Sequence, residues 1–342
     1  MMKSMKKLVL AGLILLTSVV VLAGCKMEPE GQQGPEGQQG SKVYEFTSEP
    51  RILTDYSSPN NTGSEWTYVA FGDWPQTIKA NGVTVDETKS RQMGMFTYYL
   101  GSDGNYYVKA AEKALNTGDA YKYSDGTQAG QNGTSTQWFK VEPIIWRVLN
   151  QYYSESGIAL LLAENILTGG IKWDDSENNY MESNIRKWLN GNSGSEKESD
   201  YSGNAGFLQT AFTPEAQELI TPTTVDTSDK IFLLSEEEAT TEDYGLAYDT
   251  RRRLTTDYAK ATGAFQGFLA SYGGWWWLRT PDNSGNNQVR YIDVSGNNNS
   301  DLVVGVEEVR VGIVPALSIS INSEVRNDIK NLFVLNCIHT RN

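Results

Sequence analysis

The chain has 342 residues, of which 29 are lysine or arginine and 42 are aspartate or glutamate, so its formal net charge is −13. This acidic balance argues against a nucleic-acid-binding protein, because binding phosphates requires clustered positive side chains. The single histidine, His339, lies near the end of the chain. Its position excludes an internal Ser-His-Asp or Cys-His catalytic arrangement and removes the commonest zinc ligand. With only two cysteines, Cys25 and Cys337, the sequence predicts no disulfide framework.

Residues 1–24 have the pattern of a lipoprotein signal peptide. Lysines at positions 3, 6 and 7 precede an apolar stretch, residues 8–22, which is too short to cross a membrane comfortably. Leu22-Ala23-Gly24-Cys25 then resembles the bacterial lipobox at all four positions. The resemblance implies cleavage before Cys25 and attachment of lipid to its sulfur, which would hold the protein at the cell envelope, on the outer-membrane surface. A plain signal peptide or an uncleaved anchor is the alternative.

A flexible linker is predicted at residues 25–41. Glycine recurs at every third position from Gly31 to Gly40, a collagen-like spacing that is far too short for a stable triple helix. The stretch cannot bury apolar surface, so we expect a tether between the lipid and a folded domain at residues 42–321.

The first half of that domain is predicted to be mainly β-structure. Alternating or continuous apolar patterns predict strands at residues 66–71, 92–100, 105–111, 138–149 and 158–162. The turn signal at residues 101–104 joins two of them into a hairpin. Pro143 lacks a backbone N–H, so it indicates an edge or a bend in its strand. Residues 116–136 are rich in Gly, Ser, Thr and Asn and are predicted to form a surface loop.

Helices are predicted from their capping residues. The predicted starts are Ser183, Thr213 with Pro214, and Ser235 with its capping-box partner Glu238. Residues 250–262 are predicted to form a further helix, with Arg251, Arg252 and Arg253 on a solvated face. The predicted strands and helices do not alternate in the way that would indicate a parallel sheet. No glycine-rich phosphate motif is present either. The sequence therefore predicts an α+β fold with mainly antiparallel strands.

A polar segment near the end of the domain is the candidate ligand-binding region. Two apolar stretches, residues 275–279 and 309–317, are predicted to be buried strands that enclose it, within residues 273–319. Asn, Ser, Gly and Tyr are favoured in antibody paratopes, and loops on a rigid frame often carry function. Ordinary turns would have the same composition, and that alternative stays open. The candidate ligand-binding residues are Asp282, Asn283, Asn286, Asn287, Arg290, Tyr291, Asn297, Asn298, Asn299 and Asp301.

The tryptophans beside this segment and the end of the chain are less informative. Trp275 and Trp277 are predicted to pack in the core, whereas Trp276 is left unassigned. Residues 322–342 are predicted to be either a packed terminal helix or an idle tail, in which Cys337 and His339 supply only two metal ligands. We therefore expect no metal site and no cofactor.

Five motifs in order resemble a family of bacterial extracellular domains. The motifs are Phe71-Gly72-Asp73-Trp74-Pro75-Gln76, Ile145-Trp146-Arg147-Val148-Leu149, Ser183-Asn184-Ile185-Arg186-Lys187-Trp188-Leu189-Asn190, Ile231-Phe232-Leu233-Leu234-Ser235 and Trp276-Trp277-Leu278-Arg279-Thr280-Pro281. The resemblance covers residues 66–319 and implies a C-type-lectin-like fold of the formylglycine-generating-enzyme type. With the lipobox and the asparagine-rich segment, the chain resembles the Treponema variable proteins that a diversity-generating retroelement diversifies. Related domains commonly end in Gly-Val-Arg-Pro-Ala-Leu, whereas this chain has Gly312-Ile313-Val314-Pro315-Ala316-Leu317, which puts any role of that arginine in doubt.

The resemblance implies a binding protein rather than an enzyme. Its candidate diversified positions are the ten residues above except Arg290, and the expected partner is an unknown protein or glycan outside the cell, bound by a monomer. A calcium-dependent lectin is an alternative, since Asp174, Asp175 and Glu177 offer carboxylate oxygens. A formylglycine-generating-like enzyme would need a cysteine pair that the domain lacks. A passive envelope protein with no ligand also remains an alternative.

Overall fold

The computed structural model describes residues 42–60, 66–151, 153, 157–191, 205–223, 229–269, 272–283, 285–298 and 302–320. The predictions for the signal peptide, Cys25, the linker, Asn299, Asp301 and the tail at residues 322–342 lie outside the described residues. None of the helices in the described part of the chain is long and apolar enough to span a membrane.

Antiparallel strands dominate the part of the chain that the structure describes. In chain order they are β1 (Arg51–Leu53), β2 (Tyr68–Ile78), β3 (Val85–Met93), β4 (Phe96–Gly101), β5 (Tyr106–Ala111), β6 (Thr136–Asn150), β7 (Ile158–Ala163), β8 (Ile220–Thr221), β9 (Ile231–Phe232), β10 (Trp276–Pro281), β11 (Gln288–Ile292), β12 (Val303–Gly305) and β13 (Ala316–Ser320). The predicted strands at residues 66–71, 105–111, 138–149 and 158–162 and the hairpin at residues 101–104 are confirmed.

Two sheets organise these strands. The larger sheet has the order β3-β4-β5-β6-β7-β13-β8, with β2 between β1 and β6 and with β9 beside β13. The smaller sheet is β10-β11-β12. Pro143 lies in β6 between the part paired with β5, which ends at Lys140, and the part paired with β7, which begins at Trp146. On that side of β6 no strand requires the N–H that proline lacks.

Short helices fill the connections, and their predicted caps are confirmed. Among the described residues the α-helices are α1 (Asn184–Asn190), α2 (Phe207–Ala211), α3 (Pro214–Leu219), α4 (Glu236–Thr240) and α5 (Asp257–Ala261). The Ser183 hydroxyl accepts from Arg186 N, and Gly191 ends α1 in the left-handed conformation with φ of 69°. Ser235 and Glu238 form the predicted capping box. The fold is α+β with mainly antiparallel strands, as the sequence predicted.

The predicted helix at residues 250–262 is confirmed only in its second half, as α5, and the prediction that Arg251, Arg252 and Arg253 lie on its solvated face is wrong. A single 3₁₀ turn, Asp249–Arg251, is followed by extended chain, and α5 begins only after Thr256. Arg253 is fully buried and Arg251 is 8% exposed. The reason is tertiary: Arg253 donates from Nε to Ala163 O and from Nη1 to Thr250 O, so its side chain ties two segments together across the interior.

A buried carboxylate joins two buried arginines next to this turn. Glu164 accepts from Arg147 Nε at 2.9 Å and from Arg147 Nη2 at 2.6 Å, and it also accepts from the Ser58 hydroxyl. Burial raises the pKa of Glu164, but Arg253, Arg147 and Ser58 together bring it below its ordinary value. Burial and the nearby Arg147 lower the pKa of Arg253 to about 9, so the Arg253 guanidinium remains charged at neutral pH. A single carboxylate, Glu164, therefore interacts with two buried guanidinium groups.

The beginning of the domain is fixed by a second buried carboxylate, Asp73 in β2. It accepts from the Tyr44 hydroxyl, from Thr47 N at 2.6 Å and from Thr47 Oγ1 at 3.0 Å. Burial raises the pKa of Asp73 in spite of these donors. Residues 44–47 are thus held against the larger sheet.

The stretch before β13 differs from its prediction. Residues 309–317 were expected to form one strand, yet β13 begins only at Ala316. Gly312 instead bridges Trp276, and Ile313 bridges Thr168. A side chain at Gly312 would lie 2.2 Å from Ile166 Cγ2, so the backbone approaches too closely for any other residue. This stretch connects the smaller sheet to the larger one.

Candidate functional site

The polar segment singled out in the sequence is carried by the smaller sheet. Trp276 and Trp277 of β10 are fully buried, as are Val289 and Ile292 of β11. The prediction for Trp277 is confirmed, and Trp276 packs in the core as well. Polar residues therefore extend from a frame whose apolar face is hidden, which is the arrangement in which loop residues can vary without weakening the core.

The connection between β10 and β11 forms an exposed loop, which we call the amide loop (residues 282, 283 and 285–288). Asn283, Asn286 and Asn287 are exposed, and none of their side chains takes part in a hydrogen bond within the described part of the chain. The backbone closes the loop, because Asp282 N donates to Gln288 O at 2.9 Å and Val306 N donates to Asn287 O at 2.9 Å. Three amide side chains are thus available for contact with a ligand.

Asn178, which lies outside the polar segment, hydrogen-bonds to the backbone carbonyls of this loop. Its backbone N donates to Asn286 O at 2.8 Å. Its side-chain Nδ2 lies 3.1 Å from Asp282 O, 2.9 Å from Gly285 O and 2.9 Å from Gln288 O. No feature of the surrounding sequence distinguishes Asn178 from its polar neighbours, so the sequence did not indicate this contact.

Other candidate residues belong to the frame rather than to the exposed surface. Asp282 is 8% exposed and lies 3.1 Å from Arg290 Nη2, and Arg290 Nε lies 3.8 Å from Glu236. Tyr291 is 9% exposed, and burial followed by the nearby Asp293 raises the pKa of its phenol. Asp282 and Tyr291 are buried and Arg290 is half-buried and paired, so these three residues belong to the frame, and their contact with a ligand stays a prediction.

A second turn of the candidate segment, residues 293–298, is bonded within itself. Asn297 N donates to Asp293 Oδ1 at 2.9 Å, and Asn298 Oδ1 accepts from Arg251 Nη1 at 2.8 Å. Gly296 has φ of 91°, and a Cβ there would lie 1.9 Å from Tyr248 O. Asn297 and Asn298 are half-buried and serve the turn, so they are less free to contact a ligand than the amide loop is.

Trp275 is half-buried and packs against the edge of the core, so its predicted core packing is confirmed only in part. Its ring stacks on Phe265 with centroids 4.3 Å apart and lies 5.3 Å from the ring of Tyr291. The Arg310 guanidinium lies over it at 5.6 Å. Trp275 precedes β10, which begins at Trp276, so it lies outside the strand that buries Trp276 and Trp277. Two exposed apolar residues adjoin this cluster, Phe268 at 61% and Leu269 at 56% exposure.

The acidic loop before α1 borders Asn178. A surface cavity of about 260 Å³ there is lined by residues that include Asp174, Asp175, Glu177, Glu182 and Lys187. The oxygens of Asp174 already accept from the backbone N–H groups of Ser176, Glu177 and Asn184. Within the described residues, no group of three or more His, Cys, Asp or Glu side chains is placed to hold a metal ion.

Calcium is therefore expected to leave the stability of the protein unchanged. A ligand that binds only the folded state raises the unfolding temperature, by mass action, once its concentration exceeds its Kd. Because the Asp174 oxygens already accept backbone hydrogen bonds, we expect millimolar Ca²⁺ to shift the midpoint of thermal unfolding by less than about 1 °C. Differential scanning calorimetry with Mg²⁺ as the control measures this. A rise of several degrees with Ca²⁺ alone would restore the lectin alternative.

Comparison with known proteins gives one match. A family model described as Domain of unknown function (DUF6273) matches residues 156–321. No curated protein and no solved structure matches the chain. The matched stretch runs from β7 to β13, so it contains Asn178, the amide loop and both turns of the candidate segment.

Proposed function

We propose that the chain is a lipid-anchored protein of the cell surface whose C-terminal region displays an exchangeable ligand-binding face. Lipid on Cys25 would hold it to the outer membrane, and residues 42–321 would form a C-type-lectin-like domain of the formylglycine-generating-enzyme type. In this proposal the domain acts as a binding protein without catalysis, like the Treponema variable proteins that a diversity-generating retroelement diversifies.

One observation carries the proposal: the hydrogen bonds that fix the amide loop involve its backbone and not its exposed side chains. Asn283, Asn286 and Asn287 point outward with no partner in the described residues, while the loop carbonyls are bonded to Asn178 and Val306. Exposed substitutions away from caps and buried contacts usually change stability by less than about 0.5 kcal/mol. Such a loop can take many sequences at little cost, which is what a diversified receptor requires.

The aromatic cluster beside Trp275 supports a ligand rather than an idle surface. Rigid aromatic side chains and arginine supply much of the energy at protein interfaces, and asparagine supplies adaptable hydrogen bonds. Such a group is formed by Phe268, Leu269, Trp275 and Arg310. It lies close to the turn at residues 293–298, because Gly267, the residue before Phe268, packs against Val294: a Cβ on Gly267 would lie 3.1 Å from it. A protein or glycan outside the cell is the partner that these groups suit.

Natural variation tests the proposal directly. Sequencing this locus in sister isolates should show amino-acid changes clustered at Asn283, Asn286 and Asn287, because their side chains make no hydrogen bond within the described residues. Arg290 and Tyr291 should be kept, because they pair and pack in the frame. The neighbouring DNA should contain a near-copy of the segment coding for residues 273–319 and a reverse-transcriptase gene. Changes scattered along the gene and mostly synonymous would contradict the proposal and favour a passive envelope protein.

A further inference from the structure

The backbone of the amide loop is fixed by a residue that the candidate segment does not contain. The Asn178 Nδ2 lies within 3.1 Å of three loop carbonyls, those of Asp282, Gly285 and Gln288. An amide nitrogen has two protons, so three acceptors at this range use its full donor capacity. The main chain of Asn178 adds a fourth bond, to Asn286 O at 2.8 Å.

Asn178 is itself held in place through bonds between the chain before it and the smaller sheet. The chain before it is fixed at Trp173, whose backbone N donates to Val306 O at 2.9 Å and whose indole donates to Leu278 O at 3.0 Å. Asp174 N also donates to Val306 O, at 3.1 Å. The position of Asn178 therefore depends on β10 and on Val306, the residue after β12, and none of these bonds involves an exposed loop side chain.

We propose that Asn178 is the positioning residue of the ligand-binding loop, and that it makes the loop backbone independent of the side chains at positions 283, 286 and 287. This inference rests on the proposed function, in which those three positions contact the ligand. Within the loop, specificity is then set by these three side chains, because they change the chemistry of the surface and leave its shape in place. Asn178 itself cannot vary with them.

The chemistry at position 178 admits few substitutes. Aspartate has the same shape, but its carboxylate has no proton to donate and would face three carbonyl oxygens. Alanine leaves those carbonyls without their donor. The side chain of Ser176, two residues earlier, is exposed and only its backbone N takes part in a described bond, so Ser176→Ala is a matched control in the same loop.

Hydrogen exchange on the full chain tests the inference without any ligand. The reporters are the amides of Asp282 and Val306, which bond to the loop carbonyls of Gln288 and Asn287. In N178A they should exchange between about tenfold and about a hundredfold faster than in the unmodified protein, whereas the amides of Leu161 and Leu162 in β7 keep their protection. The S176A control and a triple serine variant at positions 283, 286 and 287 should leave all four rates within about twofold.

The aspartate variant adds a readout that a general loss of packing would not give. In N178D the two reporters should exchange fastest at neutral pH, relative to the unmodified protein at the same pH. Slower relative exchange is expected below about pH 4, where the protonated carboxyl can donate again. Unchanged reporters in N178A, or an equal increase in β7, would overturn the inference. If the reporters respond as expected while natural variants show no clustering, the anchor stands and the proposed function fails.

Discussion

Replacing Glu164 by glutamine should lower the free energy of unfolding by about 3–5 kcal/mol. Glutamine keeps the size of the side chain but removes the carboxylate that pairs with Arg147 and interacts electrostatically with Arg253, both fully buried. A buried charge that loses its partner keeps the full cost of leaving water, and here the loss affects two guanidinium groups. Chemical denaturation followed by tryptophan fluorescence measures the change.

An exposed ion pair provides the control for this effect. Glu87 is 61% exposed and lies 3.3 Å from Lys109, so Glu87→Gln should cost less than about 0.5 kcal/mol. Equal effects of the two substitutions would show that burial does not matter at Glu164.

The difference between the unmodified protein and E164Q should also depend on pH. The folded-state pKa of Glu164 lies below its ordinary value, so its contribution is complete above the unfolded pKa of about 4.3. It is lost as the pH falls through the folded-state pKa, where the carboxylate takes up a proton. The two proteins should therefore differ most above about pH 5 and converge on acidification, whereas a gap that stays constant to pH 2 would contradict this account.

Trp276→Ala should cost about 3–5 kcal/mol, the usual range for removing a large buried aromatic side chain. Trp276 is fully buried in β10, and its indole donates to Arg251 O at 3.2 Å. Its backbone also bridges Gly312, where the smaller sheet meets the stretch that leads into β13. The substitution leaves a cavity at this junction and removes the donor of a buried carbonyl.

Asn287→Ala is the matched change at the other end of the same hairpin. Its side chain is exposed, so we expect a change within about 0.5 kcal/mol of the unmodified protein. Urea denaturation of both variants measures the contrast between the buried frame and the displayed loop. A cost at Asn287 that approaches the cost at Trp276 would mean that the loop side chains belong to the fold.

Local signals in the sequence predicted local structure well. Ser183 before a helical apolar pattern, Pro214 after Thr213, and the Ser235–Glu238 spacing each place a hydrogen-bond acceptor where the first helical N–H groups lack partners. These bonds span three residues, so their residues are visible together in the chain. The strand β7 was equally clear, because its continuous apolar run is buried on both faces, and β6 was marked by its apolar second half.

Long-range contacts explain what the sequence did not predict. Arg251 and Arg253 were assigned to a solvated face because arginine is usually exposed, yet their partners lie at Asn298 and Ala163, far away in the chain. The same holds for the candidate site. The polar composition of residues 282–298 was visible, but which amides face outward depends on bonds to Asn178 and Arg251 and on the close approach of Gly296 to Tyr248 O.

The hydrogen bonds that Tyr44 and Thr47 donate to Asp73 determine where a mechanical force on the preceding chain would enter the domain. A pull on the chain ahead of residue 42 acts first on the hydrogen bonds of Tyr44 and Thr47, before any force reaches β2. If those hydrogen bonds broke, residues 42–47 would detach from the sheet while its strands stayed paired. Under the proposed attachment through lipid on Cys25, these hydrogen bonds would be the first in the domain to bear the load of a bound ligand.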